Sequence, residues 1–370
     1  MRATQLLIKP VSGACNMHCG YCFYKDVGQN RVITDKGVMT IQTFEQAIFK
    51  TFAITDELCT ISFQGGEPTL RGLDFYRQVI ETVNTHNTKN IRIQYTFQTN
   101  GIVINQAWAQ FFKENNFLVG LSLDGTETLH DTYRLTGTGE KTFSQVVSAA
   151  ELLKKYKVDF NILTVVTDTT AHAAKELYDF FRSRQFSFLQ FIPCLAPLAD
   201  ARSSCFLSPQ NYGTFLCDVF DCWYKDILNG TYISIRQFDN YLLILSGRPP
   251  EACDMGGICS IQNVIEADGS VYPCDFFALD QYCLGNINQD DFTAIEKKRE
   301  HIHFIQESQE QSAKCRQCKY FVLCRGGCKR HRFMSSEVSD KENYFCQSFY
   351  TFFETCGSRL IHASQFLKIR

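Results

Sequence analysis

Eighteen cysteines in 370 residues restrict this chain more than any other feature of its sequence. At about 5% of the chain they fall short of the roughly 8–10% typical of small secreted disulfide scaffolds, and the chain is far longer than those scaffolds. Eleven of the cysteines are grouped. Cys15-x3-Cys19-x2-Cys22 follows the first apolar run, and Cys253-x5-Cys259-x14-Cys274 and Cys315-x2-Cys318-x5-Cys324-x3-Cys328-x17-Cys346 come late. Where thiols stay reduced, such groups bind metal or do redox chemistry. The opening residues Met1–Pro10 have only three consecutive apolar residues before Lys9, too few for a signal-peptide core. No uncharged apolar stretch approaches the length of a membrane span. A cytoplasmic protein is therefore expected, without a membrane partner. Lys plus Arg at 37 against Asp plus Glu at 39 leaves a net charge of −2, which argues against nucleic acid as a partner.

Up to about residue 235, short β-rich runs alternate with longer amphipathic stretches. Strands are predicted at Gln5–Lys9, Cys59–Phe63, Ile91–Thr96, Phe117–Leu121, Asp159–Val166 and Phe186–Phe191. Helices are predicted at Ile41–Ala53, Leu73–His86, Asn105–Asn115, Phe143–Lys155 and Ala171–Arg184. In Phe143–Lys155, Val146, Ala149, Ala150 and Leu153 recur at the three- and four-residue steps of one buried helical face. Repeated strand–helix alternation implies an α/β fold with a parallel sheet and right-handed crossovers. A partial barrel and a doubly wound sheet both satisfy the pattern, and both put chemistry on the loops after the strands. Those loops are glycine-marked: Gln64-Gly65-Gly66-Glu67-Pro68, Gln98-Thr99-Asn100-Gly101 and Ser122-Leu123-Asp124-Gly125. One such loop is ordinary turn chemistry, but three on one sheet face point to a ligand. After Pro249-Pro250, glycine and cysteine become dense and the alternation fades. The expected division is residues 1–235, a linker at 236–250, and a cysteine-rich domain over 251–370.

A four-iron cluster takes four thiolates, as does structural zinc. The second cysteine group is one short and the third has one too many, so one residue crossing over completes two sites. Cys328, after Gly326-Gly327, is the natural crossing residue. The first group supplies three ligands and leaves a corner open, as catalytic metal sites do. Three zinc sites are the structural alternative.

Cys15-x3-Cys19-x-Tyr21-Cys22 resembles the signature of the radical S-adenosylmethionine enzymes. That family implies a partial (β/α)6 barrel with a 4Fe–4S cluster whose open iron chelates S-adenosylmethionine and cleaves it to a 5′-deoxyadenosyl radical. Gln64–Pro68 resembles the family's glycine-glycine-glutamate motif, with Gly66 central to it. By position the resemblance assigns Tyr21, Ser122, Arg134 and Leu195 to the cofactor. The late cysteines resemble a SPASM-type extension with two auxiliary 4Fe–4S clusters. One would be held by Cys253, Cys259, Cys274 and Cys328, and the other by Cys315, Cys318, Cys324 and Cys346. Ser62–Leu70, Gln98–Gly101, Leu118–Gly125 and Tyr272–Phe276 resemble the anaerobic sulfatase-maturating enzymes along essentially the whole chain. Arg134–Phe143 has no close match and reads as a neutral loop variation.

That resemblance implies oxidation of a Cys or Ser in an unfolded or nascent sulfatase polypeptide to Cα-formylglycine. It implies three 4Fe–4S clusters and an electron donor such as flavodoxin or ferredoxin. Loss of the substrate's S–H or O–H proton needs a base, and Asp275, next to Cys274, is the candidate. Tyr24 and Gln64 are candidate peptide contacts. The other seven cysteines, Cys59 and Cys194 among them, read as structural. The nearest rival is another SPASM radical enzyme that makes a thioether or crosslink. A non-catalytic iron–sulfur or zinc scaffold is a rival of a different class.

Overall fold

The computed structural model describes residues 1–198, 205–333 and 342–367. These form two compact units that interleave along the chain. The first comprises Met1–Leu123, Tyr133–Phe160 and Ile261–Phe304; the second comprises Asp124–Thr132, Asn161–Ser260 and Ile305–Arg370.

The first unit is built on β1 (Ala3–Ile8), β2 (Leu58–Phe63), β3 (Arg92–Thr99) and β4 (Phe117–Ser122). They run parallel in that order, with Ile8 level with Phe63 and Phe63 level with Phe97. Helices Ile41–Ile54, Leu73–His86, Gln106–Glu114 and Phe143–Lys155 lie between strands or after them. Each has an apolar face to bury. The first is capped by the Thr40 hydroxyl, which accepts from Thr43 N at 3.1 Å. Phe63 anchors the core: its ring meets those of Tyr76, Phe97, Phe44 and Phe117 at 5.2–6.3 Å.

The sheet does not stop at β1. β8 (Asn263–Ile265) pairs parallel to its other edge, with Leu6, Leu7 and Ile8 opposite Asn263, Val264 and Ile265. β9 (Ser270–Tyr272) and β10 (Gly285–Asn286) follow antiparallel. The cysteine-rich region thus begins as an extension of the first sheet. In the second unit, β5 (Asp159–Val166, whose first two residues belong to the first unit), β6 (Phe188–Pro193) and β7 (Ser234–Ile235) run parallel. The 236–250 stretch carries a helix, Arg236–Leu245. The long helices Pro209–Leu228 and Cys346–Phe366 enclose an aromatic core in which Phe238 stacks on Phe352 at 5.7 Å. Among the described residues no helix is long and apolar enough to cross a membrane.

Candidate active site

Because β1, β2 and β3 end level with one another, the loops that follow them emerge side by side. The loop after β1 carries Cys15, Cys19 and Cys22, and Cys22 precedes the helix Phe23–Gln29. None of the three is in a disulfide. Neighbouring loops hold this one from two sides. From β2, Gly66 N donates to Ser12 O (2.9 Å) and Glu67 N to Ala14 O (2.8 Å). A Cβ on Gly66 would lie 1.9 Å from Ala14 O, so only glycine permits this approach. Glu67 is buried and binds β2's loop to β3's: its carboxylate accepts from Thr69 N and Oγ1, Thr99 Oγ1 and Asn100 N at 2.6–3.0 Å. Burial pushes this carboxyl up, against the pull of those donors. From β3, the Asn100 amide donates to Asn16 Oδ1 at 2.8 Å and reaches Cys15 Sγ at 3.7 Å. Burial, together with Glu67, Cys19 and Cys22, pushes the Cys15 thiol up to about 12, while the Met17 N–H opposes the shift.

The segment after Tyr133, expected to be a neutral variation, is the third support. It runs antiparallel to the cysteine loop: His18 N donates to Leu135 O (2.8 Å), Gly20 N donates to Tyr133 O (3.1 Å), and Met17 bridges Thr136. Arg134, 6% exposed, donates through Nη1 to the Tyr21 hydroxyl at 2.9 Å. Gly66, Tyr21 and Arg134 therefore converge on the cysteine loop. Ser122 ends β4 in the same unit, half-buried. Leu195 is half-buried past β6 in the second unit. Gln64 is half-buried, its N–H on Ile8 O at 3.0 Å.

A charged cluster that sequence reasoning missed surrounds Asp275. The turn Asp275–Phe277 follows Cys274 and packs on the helix after Cys22, with Phe23 and Phe276 rings 4.6 Å apart. Tyr24 Oη donates to Asp275 Oδ2 at 2.7 Å. Lys9 Nζ lies 3.5 Å from Asp275 Oδ1 and 2.8 Å from Glu266 Oε1, and Arg31 Nη2 is 2.7 Å from that same Glu266 oxygen. The Lys9 and Glu266 side chains are 2% and 0% exposed. Burial would raise the Glu266 carboxyl, but the Lys9 and Arg31 cations outweigh it and hold it below the usual range. Asp275 Oδ1 is buried and faces the Lys9 ammonium, with no hydrogen bond to it among the described residues. The available sequence signal was Lys9 itself, a cation at the end of the apolar strand run Leu6-Leu7-Ile8.

In the second unit, Cys328 is an electrostatic neighbour of Cys253 and Cys259. Cys324 stands in the same relation to Cys315 and Cys318, and Cys346 to Cys324. Cys274 lies in the first unit. Among the described residues, no three His, Cys, Asp or Glu side chains close on one point as a single ion requires. A 2.3 Å Zn–S bond sets tetrahedral sulfurs about 3.8 Å apart. Groups of cysteines outside any disulfide, with a glycine cradle at the first group, fit iron–sulfur clusters. Of the remaining cysteines, Cys59 is buried in β2 and Cys194 is hydrogen-bonded to Cys205. Cys217 and Cys356 hydrogen-bond to each other, and Cys283 donates to Gly285 O at 3.6 Å. Cys222 is half-buried in the helix Pro209–Leu228.

Residues 10–181 match the model of the radical SAM superfamily, and residues 257–319 match that of the SPASM iron–sulfur cluster-binding domain. The chain is 45% identical over 372 residues, covering all of both sequences, to the cysteine-type anaerobic sulfatase-maturating enzyme of Clostridium novyi. It is 32% identical to the serine-type enzyme of Bacteroides thetaiotaomicron, over 94% of this chain and 88% of that one. A solved structure described as native anSMEcpe with bound AdoMet and Cp18Cys peptide superposes with a TM-score of 0.93 at 43% identity, covering 99% of each chain.

Proposed function

Since the chain belongs to the anaerobic sulfatase-maturating enzymes of the radical SAM superfamily, we propose that it oxidises a cysteine of a sulfatase polypeptide to Cα-formylglycine. The chain is 45% identical to the Clostridium novyi cysteine-type enzyme and 32% to the Bacteroides thetaiotaomicron serine-type enzyme, which supports cysteine over serine as substrate. Cys15, Cys19 and Cys22 hold the cluster that binds S-adenosylmethionine, with Tyr21, Gly66, Ser122, Arg134 and Leu195 around the cofactor. Cys253, Cys259, Cys274 and Cys328 hold a second cluster, and Cys315, Cys318, Cys324 and Cys346 a third. When bound, these groups supply a hydrogen-abstracting carbon radical and sites that accept the substrate's electron. Flavodoxin or ferredoxin is the electron donor.

Asp275 is the base. The observation that supports this most is the Tyr24–Asp275 hydrogen bond, which joins the residue two past Cys22 to the residue after Cys274. Tyr24 on Oδ2 and Lys9 on Oδ1 orient the carboxylate, which takes the substrate S–H proton as the Cβ hydrogen is lost. Tyr24 and Gln64 contact the peptide. Asp275→Asn tests the assignment with a sulfatase-derived Cys-x-Pro-x-Arg peptide and mass-spectrometric detection. The expected result is about 12 iron atoms per chain, continued 5′-deoxyadenosine release, and formylglycine reduced roughly 10²–10⁴-fold. Full formylglycine yield would refute the base. A crosslinked product would assign the chain to another reaction.

A further inference from the structure

The turn Lys329–Arg332, directly after Cys328, buries four consecutive basic side chains at 4–9% exposure. Charged side chains this buried are normally paired. Lys329 has Glu307 at 2.8 Å. Arg332 differs: among the described residues no carboxylate comes within ion-pair distance, and its acceptors are backbone carbonyls. Nη1 donates to Glu310 O (2.9 Å), and Nη2 to Ser308 O (3.0 Å), Gly257 O (3.2 Å) and Gly327 O (3.4 Å). Nε is buried without an acceptor.

Those carbonyls locate the cation. Gly257 is two residues before Cys259, and Gly327 immediately precedes Cys328. The Ser308 hydroxyl accepts from Cys259 N at 2.9 Å. The Gly257 carbonyl is shared with the Gln311 amide, which also reaches Arg325 O, one residue past Cys324, both at 3.4 Å. Gly257 takes φ +77°, and a Cβ there would lie 2.3 Å from Arg325 O. The two cysteine-bearing segments therefore abut, with Arg332 beneath the junction. The thiols of Cys259 and Cys328 from one set, and of Cys315 and Cys324 from the other, all act on its charge. Every residue in this arrangement belongs to the second unit.

We propose that Arg332 is the shared counter-charge of the two auxiliary cluster sites and sets the reduction potential of both. The inference rests on the reading that these cysteines hold clusters. A thiolate-ligated cluster is anionic and gains a further negative charge on reduction. A fixed buried cation favours the reduced form and makes each site a better acceptor for the substrate's electron. At an effective dielectric near 20, removing one charge within about 10 Å lowers the reduction equilibrium constant at least about tenfold, equivalent to about 59 mV for one electron.

The test is a redox titration of the anaerobically reconstituted enzyme, followed by electron paramagnetic resonance. In Arg332→Gln, both auxiliary midpoints are expected to shift negative by about 59 mV, with the Cys15/Cys19/Cys22 cluster unmoved. Arg332→Lys keeps the charge and should titrate near wild type. Gln311→Glu places a carboxylate beside Arg332 without removing it and should reproduce the negative shift, which keeps the test decisive if Arg332→Gln loses iron. Wild-type midpoints in an iron-replete Arg332→Gln or Gln311→Glu variant would overturn the role of Arg332 alone. A wild-type chain carrying about four iron atoms would instead overturn the cluster reading.

Discussion

Replacing Lys9 by Met keeps the length of the side chain and removes its charge from a site that is 2% exposed. In the wild type, Lys9 and Arg31 face Glu266 and Asp275, two charges of each sign. The variant leaves one cation against two buried carboxylates. Breaking a buried pair from one side costs about 3–5 kcal/mol, because the partner keeps its desolvation cost without its counter-charge. At roughly 2 °C per kcal/mol for a large domain, the reconstituted enzyme should melt roughly 6–10 °C lower. Lys9→Met/Glu266→Gln removes one charge of each sign and leaves Arg31 with Asp275. It should be more stable than the sum of the single variants by about 0.5–3 kcal/mol. Lys9 also faces Asp275 Oδ1, so the single variant should form less formylglycine per 5′-deoxyadenosine. Melting within a degree of wild type, or strict additivity in the double variant, would refute the reasoning.

Gly66→Ala drives a methyl group into the Ala14 carbonyl and separates the two loops. S-adenosylmethionine cleavage should fall about 10²-fold, as displacement of a positioned group by about 1 Å does, while the iron held by the late cysteines is retained; an unchanged 5′-deoxyadenosine rate would count against the cradle. His331 is pushed down to about 3 by burial and by the neighbouring Arg330 and Arg332 cations. It stays neutral in the fold, whereas the unfolded chain takes up a proton below about pH 6.5. Its stability contribution is complete above that value and is lost as pH falls toward 3. Between pH 7.5 and 5.5 unfolding should become about 1 kcal/mol easier, and His331→Phe, which keeps a ring against Phe345, should flatten that slope in urea titrations.

The six strands of the alternating pattern were legible because each is rich in apolar and β-branched residues, in a continuous run or alternating with polar ones. Asp159–Val166, Leu73–His86 and Phe143–Lys155 match residue for residue. β8, β9 and β10 were not legible. At three, three and two residues, they are too short for alternation to register, and β8 is specified by its partner β1. The site divides in the same way. Three cysteines at fixed spacing are a local signal, and so is the glycine loop that must approach them. Lys9 and Glu266 become meaningful only together, and they stand side by side at the same end of a parallel strand pair that sequence alone does not reveal. The pairing of Arg134–Phe143 with the cysteine loop was not legible for the same reason, since it is carried largely by backbone bonds that leave no side-chain signal.

The parallel pairing of β1 with β8 also fixes the order of assembly. β1 emerges first during synthesis, yet its outer edge stays unpaired until residue 265 has been made. A fragment ending before Ile261 would expose that edge, a template for self-association, and would lack both Glu266 and Asp275. Exchange of iron–sulfur regions between relatives should therefore succeed only at a seam that leaves the Ile261–Phe304 segment with the barrel it completes.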